Sequence, residues 1–117
     1  MGSLRPYVPK ADTQVALAAV DASTLSARLS MADFNSVLMH CDVTGTGDWT
    51  ISIQGAMTVD GTLINMGKVD GDGSAYSIQF TVDAYTTFRG VPDWIAINAI
   101  ENSGTSTLTV TVQGVNL

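Results

Sequence analysis

Oily and polar side chains alternate one for one along three stretches of this chain, the spacing that sends successive residues to opposite faces of a β-sheet. In "DWTISIQ" Trp49, Ile51 and Ile53 fall on one face and Thr50, Ser52 and Gln54 on the other. In "SAYSIQFTVD" Tyr76, Ile78, Phe80 and Val82 oppose Ser77, Gln79, Thr81 and Asp83. In "TSTLTVTVQG" Leu108, Val110 and Val112 oppose the threonines and Gln113. Each of these strands has one dry face and one wet face.

Further strands are expected at 14 to 20, 24 to 31, 36 to 43, 62 to 67 and 93 to 100, with a helical turn as the alternative within the Ala- and Leu-rich residues 14 to 31. Between the runs lie "TGTGD", "VDG", "VDGDGS", "RGVPD" and "ENSGT", which read as turns because Gly and Asp accept the backbone angles that turns demand. About eight antiparallel strands with half-wet faces need a second layer to cover the dry side. The expected fold is therefore all-β, a two-sheet β-sandwich over residues 14–117, preceded by an extended N-terminal arm over 1–13. The segment "DWIAINAI" is apolar on both faces, which fits a central strand or one that meets another subunit. Trp94, Ile95 and Ile97 are accordingly candidate oligomer contacts, and a symmetric homotrimer is the expected assembly.

Composition narrows the choice of partners. The formal net charge is −6, with ten of the eleven acids aspartate. Wrapping nucleic acid relies on lysine and arginine displacing counterions from phosphate, so no nucleic-acid partner is expected. No apolar run approaches the ~18 residues of a membrane span, and "MGSLRPYVPK" lacks the apolar stretch of a secretory signal, so no membrane partner is expected either. The single cysteine, Cys41, rules out an internal disulfide.

Candidate chemistry is sparse. The only histidine, His40, sits beside Cys41, but neighbours on a strand face opposite sides of the sheet and cannot form a thiol–imidazole pair. One Cys and one His are too few for a structural zinc site. In "VDGDGSAYS", a helix-loop-helix calcium loop beginning at Asp70 and using Asp72 and Ser74 would need glycine where Ala75 stands and glutamate where Thr81 stands. That segment reads as a hairpin turn, and "VDG" at 59 to 61 reads as a tight turn with positive φ. "TGTGDW" lacks the lysine of a phosphate-binding loop. The Asp70 and Asp72 carboxylates sit on a hairpin tip rather than in the pocket that glycoside hydrolysis requires. No catalytic residue, metal or cofactor is assigned. Trp49 and Trp94 are weighed as sugar-stacking rings and assigned instead to core packing or a subunit contact.

The first residues are the least globular. Pro6 and Pro9 exclude helix, and Arg5 and Lys10 make the arm basic against an acidic body. Leu4, Arg5, Pro6, Tyr7 and Val8 are the candidate partner-binding residues, suited to an extended segment docking onto a neighbouring protein.

The runs "DWTISIQGAMTVDGTLINMG", "SAYSIQFTV" and "FRGVPDWIAINAIENSGTSTLTVTVQGVNL" resemble the small all-β virion proteins of tailed bacteriophages, over about residues 35 to 117. "RGVPDWIAI" and the Thr/Val-rich final strand carry most of the likeness. The resemblance implies a jelly-roll-like sandwich acting as a capsid decoration or cement protein. Such a protein is often trimeric and is bound to the major capsid protein on the outer surface of the virion head. Related sandwiches occur in tails and fibres, so the alternative is a carbohydrate- or receptor-binding module with a glycan as partner.

Overall fold

The computed structural model describes residues 13–66 and 77–116. The candidate arm residues Leu4 to Val8, and the turn at Asp70 and Asp72, lie outside the described residues. Eight strands run in order: β1 (Gln14–Val20), β2 (Thr24–Leu25), β3 (Leu29–Ser30), β4 (Ser36–Ala56), β5 (Ile64–Asn65), β6 (Ser77–Phe80), β7 (Ala84–Arg89) and β8 (Trp94–Val115). No helix occurs among the described residues, so residues 14 to 31 take the extended alternative.

Two of these strands are far longer than the alternation implied. The expected strands at 36 to 43 and 49 to 54 fuse through "TGTGD" into β4, and those at 93 to 100 and 107 to 113 fuse through "ENSGT" into β8. β4 and β8 pair antiparallel along their whole length, from Ser36 opposite Val115 to Ala56 opposite Trp94. A strand of 22 residues drawn straight would reach roughly 70 Å. The longest dimension of the molecule is 54 Å, so the ribbon bends.

The bend is built from the residues that looked like turns. Gly45 and Gly104 hold φ of +99° and +89°, left-handed angles that a side chain resists. The ladder shifts register between Asp48 and Trp49, where Asn102 is the extra residue on β8. The bulge has a clear consequence for side-chain direction. On β8 the large buried side chains are odd before it (Ile95, Ile97) and even after it (Leu108, Val110, Val112), while on β4 they are odd on both sides of it (Val37, Met39, Cys41, then Trp49, Ile51, Ile53). Without the inserted residue, one half of β8 would turn its apolar side chains outward.

Short strands widen both halves of the ribbon. At one end the order across the sheet is β1, β8, β4, β7; at the other, β2 and β3 flank β8 while β5 and β6 flank β4. All eight strands thus belong to one hydrogen-bonded sheet, which corrects the expectation of two separate sheets. The second layer arises because this sheet folds over on itself. Val37, Met39 and Cys41 from one half share a single core with Trp49, Ile51 and Ile53 from the other. Two polar ties connect the halves: the Trp49 Nε1–H donates to Ser106 Oγ at 2.8 Å, buried at the bend, and Gln14 Nε2 donates to the Ser30 carbonyl at 3.4 Å along the edge.

Other details depart from the sequence reading. β7 was not foreseen, because Thr86 and Thr87 dilute its apolar pattern. Among the described residues of the run at 62 to 67, only Ile64 and Asn65 form a strand, β5. Val82 is exposed, since β6 ends at Phe80 and the chain bends before β7. The turn at 58 to 61 exists, with the Gly61 N–H donating to the Thr58 carbonyl at 3.2 Å, but neither Asp60 nor Gly61 needs positive φ. In "RGVPD", Gly90 does take positive φ, and the Gly90 and Val91 N–H groups both donate to the Asn35 carbonyl. Ile95 and Ile97 are fully buried in the core of the single chain, so the cover sought for them in a partner is supplied by their own sheet. Only Trp94 of the three candidate contacts keeps partial exposure.

Candidate interaction surface

The outward face of the β1–β8–β4–β7 half carries the most organised group of exposed side chains. In register across four strands, Val15 pairs with Thr111, Thr111 with His40, and His40 with Tyr85. Alternation puts this row on the face opposite Met39 and Cys41, which are buried. The His40 and Tyr85 rings stack with centroids 4.5 Å apart and planes inclined by 27°. Tyr85 is 71% exposed while His40 is half-buried, so the imidazole backs the phenol and leaves most of it in solvent. A shallow depression of about 340 Å³ adjoins the pair, lined also by Thr13, Leu38, Thr111 and Gln113. Its described walls offer aromatic surface, three hydroxyls and one carboxamide, and no lysine, arginine or carboxylate is among the described residues that line it.

A second depression, about 430 Å³, lies at the far end of the ribbon beside β5. Met57, Ile64, Met66 and Pro92 line it, and Met57 is 80% exposed. Val59 in the adjoining turn is also exposed, so this end presents apolar surface of the kind that proteins use for contact.

His40 and Cys41 diverge as strand geometry requires. The buried thiol has its pKa pushed up to about 12 by loss of solvent, which keeps it protonated and a poor nucleophile. The two tryptophans part company as well. Trp49 is sealed in the core and cannot stack on a ligand, whereas Trp94 is half-buried at the start of β8, opposite Ser30. Among the described residues no three His, Cys, Asp or Glu side chains gather in a way that would hold a metal ion. Arg28 Nη1 is shielded from solvent without a hydrogen-bond partner. The sequence reading missed Tyr85. Its signal lay in "AYTTFR", where Tyr85, Thr87 and Arg89 alternate with Ala84, Thr86 and Phe88.

No known family matches the sequence, and no curated protein matches it. Among solved structures the chain is similar to the SPBc2 prophage-derived protein YomS, with a TM-score of 0.64 and 14% identity over 97% of this chain and 100% of that one. A protein of the Bacillus endospore appendages, described as disulfide-linked pili, gives a TM-score of 0.45 at 14% identity, covering 95% of this chain and 88% of that one. The Yersinia pseudotuberculosis-derived mitogen gives 0.36 at 9% identity, covering 94% and 86%. At such identities the likeness to YomS is one of fold, an all-β architecture shared from end to end.

Proposed function

We propose that this protein is a non-enzymatic structural component of a phage-type particle, a decoration or cement protein that bridges coat subunits on the outer surface of the capsid. The observation that carries this reading is the full-length likeness in fold to a prophage-derived protein. The folded ribbon suits the role because its two halves share one core, so a pull on either outer face is resisted by the whole domain. The arm residues Leu4, Arg5, Pro6, Tyr7 and Val8 would reach across a subunit boundary. The apolar end around Met57 and Ile64 would supply a second contact, with the major capsid protein or with another copy in a homotrimer. Contacts made together convert each rebinding into an intramolecular event, so dissociation becomes much slower than for either contact alone.

The test is an add-back experiment on particles stripped of the protein. Restoring the full chain should raise the temperature at which the shell ruptures, and a chain lacking residues 1–12 should be retained less well and restore less. Added protein that fails to bind, or that binds without moving the rupture temperature, would remove the cement role.

A second reading, a carbohydrate- or receptor-binding module of a tail or fibre, draws on one observation. An exposed aromatic ring, Tyr85, is stacked against His40 on a sheet face.

A further inference from the structure

We infer that the Tyr85–His40 face is a binding site for a neutral saccharide. A sugar ring presents a patch of C–H bonds on one side and hydroxyls around its rim, so it is recognised by an aromatic ring flanked by uncharged hydrogen-bonding groups. The depression contains that combination. Tyr85 supplies the ring, and Thr13, Thr111 and Gln113 supply hydroxyls and a carboxamide that both donate and accept.

Three features separate this arrangement from an ordinary exposed tyrosine. First, the ring is braced: His40 stacks against it, and the two residues are paired across β4 and β7, so binding need not freeze a freely rotating side chain. Second, two of the three polar groups belong to strands already fixed in the sheet, Thr111 being opposite His40 and Gln113 opposite Leu38. Third, the described lining is uncharged apart from the imidazole of His40. The protein carries a formal charge of −6, and among the described residues lining the depression there is no lysine, arginine or carboxylate. A phosphate or a metal ion would find only the His40 imidazole among the described lining residues, whereas a neutral polyol needs no counter-charge. Asp42, two residues along the same face of β4, is the nearest acid on that strand and lies outside the lining. A shallow site for so small a ligand implies roughly millimolar affinity for a single sugar unit, with tighter binding to be gained by repeating the site.

The site does not depend on the coat-binding reading, because it is measured on the isolated protein. Titrating ¹⁵N-labelled full-length protein with glucose, galactose, N-acetylglucosamine and their short neutral oligomers, up to about 50 mM, covers the affinity expected. At least one of these sugars should shift the amides of His40, Tyr85 and Thr111. Tyr85→Ala should weaken the response at least tenfold, Tyr85→Phe should retain most of it, and Trp94→Ala should leave it unchanged. The exposure of Tyr85 means that both Tyr85 variants should keep the folded spectrum elsewhere. No response to any neutral sugar, a response untouched by Tyr85→Ala, or a preference for sugar phosphates would each overturn the inference. So would shifts of the same row that follow protein concentration alone, which would give this face to a second copy of the chain.

Discussion

Replacing Gly104 with alanine should lower the melting temperature by roughly 10 to 20 °C, the largest effect expected of any single methyl group in this protein. Two penalties act together. The residue holds φ at +89°, where a Cβ is strained, and a Cβ placed there would overlap the Thr46 carbonyl oxygen and come within 2.8 Å of Gly47 Cα. Both obstacles are backbone atoms of the facing strand, which cannot swing aside as a side chain tip can. Strain of about 1–3 kcal/mol and overpacking of similar size sum to roughly 2–6 kcal/mol. Gly90 supplies the control. Its φ is also left-handed, at +73°, but a Cβ would meet nothing within 4 Å. Gly90→Ala should therefore cost only about 1–2 kcal/mol, the conformational share. Equal losses at the two sites in urea denaturation would mean that close approach of the strands at the bend is not what Gly104 secures.

Trp49→Ala should be about as damaging, at roughly 3–5 kcal/mol, because it empties the largest fully buried side chain in the core. Domains of this size are stable by only about 5–15 kcal/mol, so the variant should lose a large share of its total stability. A subtler pair of substitutions separates volume from hydrogen bonding. Trp49→Phe keeps an aromatic ring but leaves Ser106 Oγ buried without its donor, and Ser106→Ala leaves the indole N–H without its acceptor. Each should cost about 1–3 kcal/mol, and the double variant should cost less than the sum, since it leaves neither group unpaired. Strict additivity in denaturant titrations would show that the bond across the bend contributes little.

The strands with one dry and one wet face were legible because burial on one side imposes period two. Ile51 and Ile53, and Leu108, Val110 and Val112, lie inward as their spacing requires. The opposed directions of His40 and Cys41 followed from the same geometry. What could not be read was continuity. Glycine beside threonine and aspartate in "TGTGD" looks the same whether it ends a strand or lets a strand bend, and only the partner opposite decides. Here Gly47 lies opposite Gly104, and the strands run on. Strands of two residues, such as β2 and β5, owe their existence to pairing with β8 and β4 rather than to any local preference. For the candidate site, the row from Val15 to Tyr85 joins residues far apart in the chain, and no local pattern reports that His40 and Tyr85 are neighbours. The sequence drew attention instead to the tryptophans, because ring size is visible in a sequence and burial is not. Trp49 proved to be core, while the exposed ring on the organised face is a tyrosine.

If this ribbon works by being held among the proteins of a particle, its location decides the matter more directly than any property of the isolated domain. The measurement is to band particles from cells that make the protein on a density gradient and to reconstruct them by cryo-electron microscopy. The protein should band with the particles, and density with the shape of the folded sheet should recur at symmetry-related positions on the outer shell. Intact particles free of the chain, with all of it left in the soluble fraction, would contradict the account.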